Sequence, residues 1–203
     1  MEKLLFSVED ITPNFDMEIV KESYFVIFGY DPTGKAEALS FNDGNEILKD
    51  LSGDHAKLKQ WFFMGITPIF KTRWRDKHVF PGGLPLYHGP KTNLTSIYVA
   101  IMESDRGAKD AGNVLRDMMS KVDINPLMDA ALNLAAVTQP QVALIKPAFS
   151  LTIKAIEEAL IRNGDDIDYT NVFTFKESNS FLAGKHADWG NHKLKLTFSI
   201  DVR

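Results

Sequence analysis

With 203 residues, the chain is long enough to bury a core without covalent staples and short for two ordinary domains, so a single domain over residues 1–203 is expected. Hydrophobic residues at 44% and charged residues at 25% exclude a disordered, collagen-like or membrane-bundle chain, and the lack of cysteine removes disulfides, thiolate nucleophiles and thiolate metal sites. Twenty-three basic residues against 27 acidic ones leave a net charge of −4, without the basic excess that neutralises a phosphate backbone, so no nucleic-acid partner is expected.

Residues 1–10 read as a first strand, because their apolar run is too short for a signal-peptide core and meets charges at once. The β-branched and aromatic runs 23–30 and 67–74, bounded by Asp-Pro, Thr-Gly and Asp-Gly turn signals, predict further strands. Between them Ile47, Leu48, Leu51, Leu58 and Trp61 line one face of a short helix within 45–61, broken at residues 52–54. The stretch 80–90, with Pro81, Gly82, Gly83, Pro85, Gly89 and Pro90, predicts a loop, and residues 94–102 a strand.

The period then changes. Ala111, Val114, Leu115, Met118, Met119 and Val122 repeat at three and four, which predicts an amphipathic helix over 108–122. Asn125-Pro126 opens a second helix to about residue 137, and Pro147 a third, with Phe149, Ile153, Ile156 and Leu160 on one face and Asn163-Gly164 as the left-handed stop. Residues 107–163 therefore form a helical block. Strands resume at 169–175 and at 192–202, where Leu194, Leu196, Phe198, Ile200 and Val202 alternate with polar residues as one buried face requires. The weakly charged stretch 130–148 contains Pro140, Lys146 and Pro147, which excludes it as a membrane span and leaves a cytoplasmic or peripheral-membrane location as the expectation. Helices inserted between strands that must meet predict a mainly β fold, an antiparallel β-sandwich with an elaborated loop.

Motifs of catalysis are scarce. The nucleophile elbow, Walker loop, zinc-protease and dinucleotide patterns are missing, and Pro90 removes an amide that a phosphate cradle at Gly89-Pro90-Lys91-Thr92 would need. His186, Asp188 and His192 offer zinc-ligating groups for a metal-dependent hydrolase, but the run reads better as a polar hairpin tip. The carboxylates are more telling, since Asp16, Glu22, Glu103, Asp105, Asp165 and Asp166 fall at strand ends. Acids gathered there suit a hard cation with oxygen ligands, although from spacing alone they read better as residues that simply flank turns.

The order of these pieces resembles a C2 domain, the calcium- and phospholipid-binding β-sandwich. Leu5-Phe6-Ser7-Val8, Asp16 and Glu22-Ser23-Tyr24-Phe25-Val26 stand where that family has an aspartate-bearing loop followed by Asp-Pro-Tyr-Val. Tyr98 to Asp105 stands for its strand ending in acid-x-Asp, and Asp165-Asp166-Ile167 for its later acid-hydrophobic pattern. Glu replaces Asp at positions 22 and 103, Asp168-Tyr169 stands where the family has its turn glycine, and the Asn-Pro-x-Trp motif is missing. The resemblance implies calcium as cofactor, held by Asp16, Glu22, Glu103, Asp105 and Asp166. It also places the helical block in the loop that faces calcium and membrane, where Met118, Met119, Met128 and Phe149 would offer an adaptable apolar surface to a phospholipid surface or a protein assembly; alternatively these residues pack the helices onto the sandwich. The expectation is a C2-like, non-enzymatic binding module. Its rivals are a metal-free assembly protein using the helices as an interface and, behind both, the hydrolase.

Overall fold

A computed structural model of the chain describes residues 3–14, 20–31, 33, 35, 62–90, 92, 95–104, 113, 115, 142–162, 164–175, 185–191 and 193–202. In chain order these form β1 (Lys3–Pro13), β2 (Val20–Tyr30), β3 (Phe62–Ile66), β4 (Phe70–Arg73), β5 (His78–Pro90), β6 (Ser96–Glu103), α1 (Val142–Arg162), β7 (Asp166–Thr174), β8 (Lys185–Gly190) and β9 (Leu194–Val202). One sheet has the order β5-β1-β9-β8 and the other β3-β2-β6-β7, with β4 also pairing along β2; the pairings are antiparallel. The mainly β sandwich expected from the sequence is therefore what the chain forms.

Strand β2 shows how the layers meet. Every residue from Tyr24 to Tyr30 is buried, although a strand with one wet face would alternate. The odd positions Phe25 and Ile27 join Ile97, Val99 and Ile101 of β6 in the core between the sheets, where Phe6 of β1 packs on Phe173, Phe198 and Phe175 at ring-centroid distances of 4.8, 5.1 and 5.4 Å. The even positions meet the helix and the residues just past its end instead: Phe28 stacks on Phe149 at 5.2 Å, the Tyr98 hydroxyl donates to Glu157 Oε1 at 3.0 Å, and the Tyr24 hydroxyl donates to Asp165 Oδ2 at 2.8 Å. The middle of sheet β3-β2-β6-β7, strands β2 and β6, is thus covered on both faces, which is why these strands read as continuous apolar runs.

Strands β3 and β4 share one edge of β2 and are separated at residues 67–69. There Thr67 keeps Phe25 paired, its Oγ1 accepting from the Phe25 amide at 2.9 Å and its own amide donating to the Phe25 carbonyl at 3.0 Å. Helix α1 ends in a Schellman motif, with Gly164 at φ 91°, its amide donating to Ile161 O at 3.0 Å and the Asp165 amide to Leu160 O at 3.4 Å. The chain leaves β6 at Glu103 and returns in β7 at Asp166, which is its register partner.

Four sequence expectations need correction. The proline- and glycine-rich stretch 80–90 is not a loop but most of β5, a 13-residue strand. It lies at a sheet edge, where prolines need not donate, and its pairing with β1 shifts register around Gly82 and Gly83, whose φ values of 79° and 77° form the irregularity. The tip expected at His186 begins as strand β8, in register opposite β9; the turn follows it, held by Asn191 Oδ1 accepting from the Lys193 and Leu194 amides at 2.8 and 3.0 Å. Helix α1 starts at Val142, five residues before the Pro147 expected to open it. Phe149 is 4% exposed against Phe28, so it belongs to the packing of α1 on the sandwich rather than to an open surface. The helix expected within 45–61, the helix of 125–137, and Met118, Met119 and Met128 lie outside the described residues; in the block's first helix Asn113 and Leu115 are helical, and Leu115 is buried.

Candidate functional site

The described members of the acidic set come to one end of the sheet, where β2 begins, β6 finishes and β7 begins. Strand parity then divides them. Ser23 pairs with Glu103, so Glu103 shares the inward face of Phe25 and Ile27, while Glu22 takes the opposite face. Glu22, half-exposed, meets Lys71 of β4 across the strand pair, with Nζ 3.2 Å from its Oε1. Its backbone carbonyl accepts from the Ser104 amide at 2.7 Å, which binds the last residues of β6 to the first of β2. Asp166 is exposed in the register position beside Glu103. Asp16 and Asp105 lie outside the described residues.

Lys21 is the residue that organises this end, and sequence reasoning missed it. It follows the inward parity of β2, so its stem runs between the sheets with its side chain only 10% exposed. Its ammonium lies 2.5 Å from Glu103 Oε2 and 3.5 Å from Asp168 Oδ1, and Lys193 reaches the same Asp168 oxygen at 3.6 Å. Ile11, Thr72, Ile101 and Leu194 close over them, leaving a cavity of about 10 Å³, scarcely room for a water molecule. The carboxylates of Glu103 and Asp168 are thus held by ammonium groups of the chain. Among the described residues no three His, Asp or Glu side chains converge to hold a metal ion.

Beside this end, the β4–β5 connection, which carries the chain from one sheet to the other, projects Trp74 and Arg75 at its turn. Arg75 sits at φ 60°, the Asp76 amide donates to Arg73 O at 3.0 Å, and the Arg75 amide donates to Pro13 O at 2.9 Å, tying the tip to the end of β1. The Trp74 indole N–H donates to Asn14 O at 3.3 Å, and the Arg75 guanidinium carbon lies 4.4 Å from the centre of the indole. Trp74 is nevertheless 46% exposed and Val20, opposite Arg73 in register, 41%.

Other polar groups are accounted for by the fold. Buried Asp31 accepts from the Thr33 and Lys35 amides at 2.9 and 3.0 Å as a turn-former. Burial lifts the hydroxyls of Tyr24 and Tyr98 far above their ordinary range, reinforced by Asp165 and Glu157, so both stay neutral donors. Asp10 accepts from Thr197 Oγ1 at 3.0 Å and pairs with Lys77 at 2.7 Å. The open side between β7 and β8 forms a groove of about 550 Å³ lined by Tyr169, Asn171, Trp189, Asn191 and Lys193 among others. His192 and the side chains of His186 and Asp188 lie outside the described residues. No described helix is long and apolar enough to cross a membrane.

No protein-family model matches the chain, and no curated protein does. Solved structures of human GIVD cytosolic phospholipase A2 are similar at low scores. The enzyme alone gives a TM-score of 0.38 at 9% identity, over 99% of this chain and 16% of that chain. Its complex with methyl gamma-linolenyl fluorophosphonate gives 0.35 at 11%, over 99% and 17%, and the complex that also holds terbium chloride 0.37 at 10%, over 99% and 17%. The chain spans about a sixth of the length of that protein.

Proposed function

We propose that the chain is a non-enzymatic binding module, a C2-like sandwich that attaches to a membrane surface by the end where β2 begins. The observation that supports this most is the pairing of two features there: the carboxylates Glu22, Glu103 and Asp168 are engaged by Lys71, Lys21 and Lys193, while the apolar side chains of Val20 and Trp74 remain exposed. An end where these three carboxylates are engaged by the chain's own ammonium groups and apolar residues face outward is suited to contact rather than to chemistry. Sedimentation with vesicles of mixed phospholipid in a chelator tests it. Co-sedimentation is expected, and a chain that stays in the supernatant at every lipid concentration overturns the reading.

Calcium tuning of the same attachment requires the cation to take Glu103 from Lys21, or Glu22 from Lys71, together with Asp16, Asp105 and Asp166. Saturating calcium then raises the melting temperature by mass action; an unchanged melting curve in millimolar calcium leaves a calcium-independent module. The metal-free assembly reading draws on Leu151 and Ile161 of α1, 59% and 57% exposed. Light scattering over a concentration series decides it, since an assembly using these residues gains mass with concentration and loses that gain in Leu151→Ser/Ile161→Ser.

A further inference from the structure

Residues 71–79 carry Lys71, Arg73, Arg75 and Lys77 against the single acid Asp76, in a chain whose net charge is −4. Two of these cations are occupied, Lys71 by Glu22 and Lys77 by Asp10. Arg73 and Arg75 are exposed and, among the described residues, form no ion pair. Between them stands Trp74, whose one polar atom is already bonded to Asn14 O. Val20 lies across the register from Arg73, and Val79, 55% exposed, follows at the start of β5 in the other sheet. The bonds from the Arg75 amide to Pro13 and from the Asp76 amide to Arg73 hold this tip in one conformation, so engaging a partner costs little ordering.

Resting on the membrane-attachment reading above, we infer that the turn of the β4–β5 connection is the surface that meets the bilayer and that it selects anionic phospholipid headgroups. A tryptophan is favoured at the level of the headgroups, where its ring is apolar on one side and wet on the other. Guanidinium groups on either side present paired N–H donors to phosphate oxygens and are drawn to a negatively charged leaflet. The charge of this turn is opposite to that of the whole chain, so the field of an anionic surface draws the turn toward it and the acidic remainder away. A nucleic acid would be repelled by that remainder. A single turn also falls short of the roughly 1,000 Å² that a specific protein interface buries.

The full chain is sedimented with vesicles of phosphatidylcholine alone and of phosphatidylcholine with phosphatidylserine, at low and high salt. Binding is expected only with phosphatidylserine and is weakened by salt, as screened contacts must be. Arg73→Gln/Arg75→Gln is expected to weaken it roughly 25-fold, about fivefold for each cation removed near the surface. Lys195→Gln, which removes an exposed cation on β9, should leave it unchanged, and melting curves establish that each variant is folded. Quenching of tryptophan emission by brominated acyl chains that disappears in Trp74→Phe, which keeps Trp61 and Trp189, places the Trp74 indole at the interface. Vesicle binding that survives the double arginine variant, or that is equal on phosphatidylcholine alone, overturns this inference while leaving membrane attachment standing. Absence of binding to any vesicle overturns both. Binding to polyglutamate without vesicle binding, lost in the double variant, replaces lipid by an acidic protein.

Discussion

At the scale of single residues, Lys21 carries the most consequence for the least visible signal. In the sequence it is one lysine at the start of a strand, and its partners Glu103 and Asp168 are 82 and 147 positions away. Acids at strand ends were legible because carboxylates cluster where strands finish; the ammonium that neutralises them was not, because its side of the strand depends on pairing register. Breaking a buried ion pair from one side strands the other charge and typically costs about 3–5 kcal/mol. Lys21→Met is therefore expected to lower stability to urea by about 3 kcal/mol, the lower end, since Lys193 still serves Asp168. Lys21→Met/Glu103→Leu should recover most of that loss, because removing both charges leaves little to desolvate. Equal losses in the single and double variants would show that the stem of Lys21, rather than its charge, is what matters.

At the scale of elements, strict alternation made β9 plain, and the unbroken apolar run of β2 identified a strand without revealing that its second face lies under α1. The stretch that became β5 misled for a physical reason. Prolines and glycines break a central strand, but at a sheet edge the lost donors face away from the ladder and glycines admit a bulge. Pro81 and Pro85 are thus compatible with pairing to β1, and Gly83 is where the strand depends on its composition. A Cβ there would meet Glu9 Oε1 at 3.0 Å and Ser7 Cβ at 3.2 Å, in a backbone conformation of φ 77° that side-chain-bearing residues avoid. Gly83→Ala is accordingly expected to cost about 1–2 kcal/mol in urea unfolding, and Gly82→Ala, with φ 79° and nothing within 4 Å, the conformational part alone. A Gly83→Ala protein no less stable than Gly82→Ala would mean that the close approach to β1 relaxes freely. Strand β8 escaped notice because Lys185–Gly190 has few apolar residues; its partner β9 and the turn at Asn191 define it instead.

At the scale of the whole molecule, the two sheets and the helix enclose all five tyrosines of the chain, Tyr24, Tyr30, Tyr87, Tyr98 and Tyr169. Burial raises the pKa of each. The charges of Asp165, Asp31 and Glu157 add to this at Tyr24, at Tyr30 and Tyr87, and at Tyr98, with Tyr30 pushed up to about 12 and Tyr24, Tyr87 and Tyr98 beyond that. A phenol whose folded pKa stands above its unfolded value near 10 keeps its proton in the folded state after the unfolded chain has begun to lose it. The stabilisation is therefore complete below pH about 10 and is lost as the pH rises toward the folded values. Because the tyrosines lie in three different places (between the sheets, under α1, and at the Asp31 turn), they report on the sandwich as one unit. Tyrosinate absorbance is expected to stay flat past pH about 10 and then to rise in a single step that coincides with loss of near-ultraviolet circular dichroism. Gradual ionisation near pH 10 with the dichroism intact would instead show that part of the enclosure opens to water while the sheets remain paired.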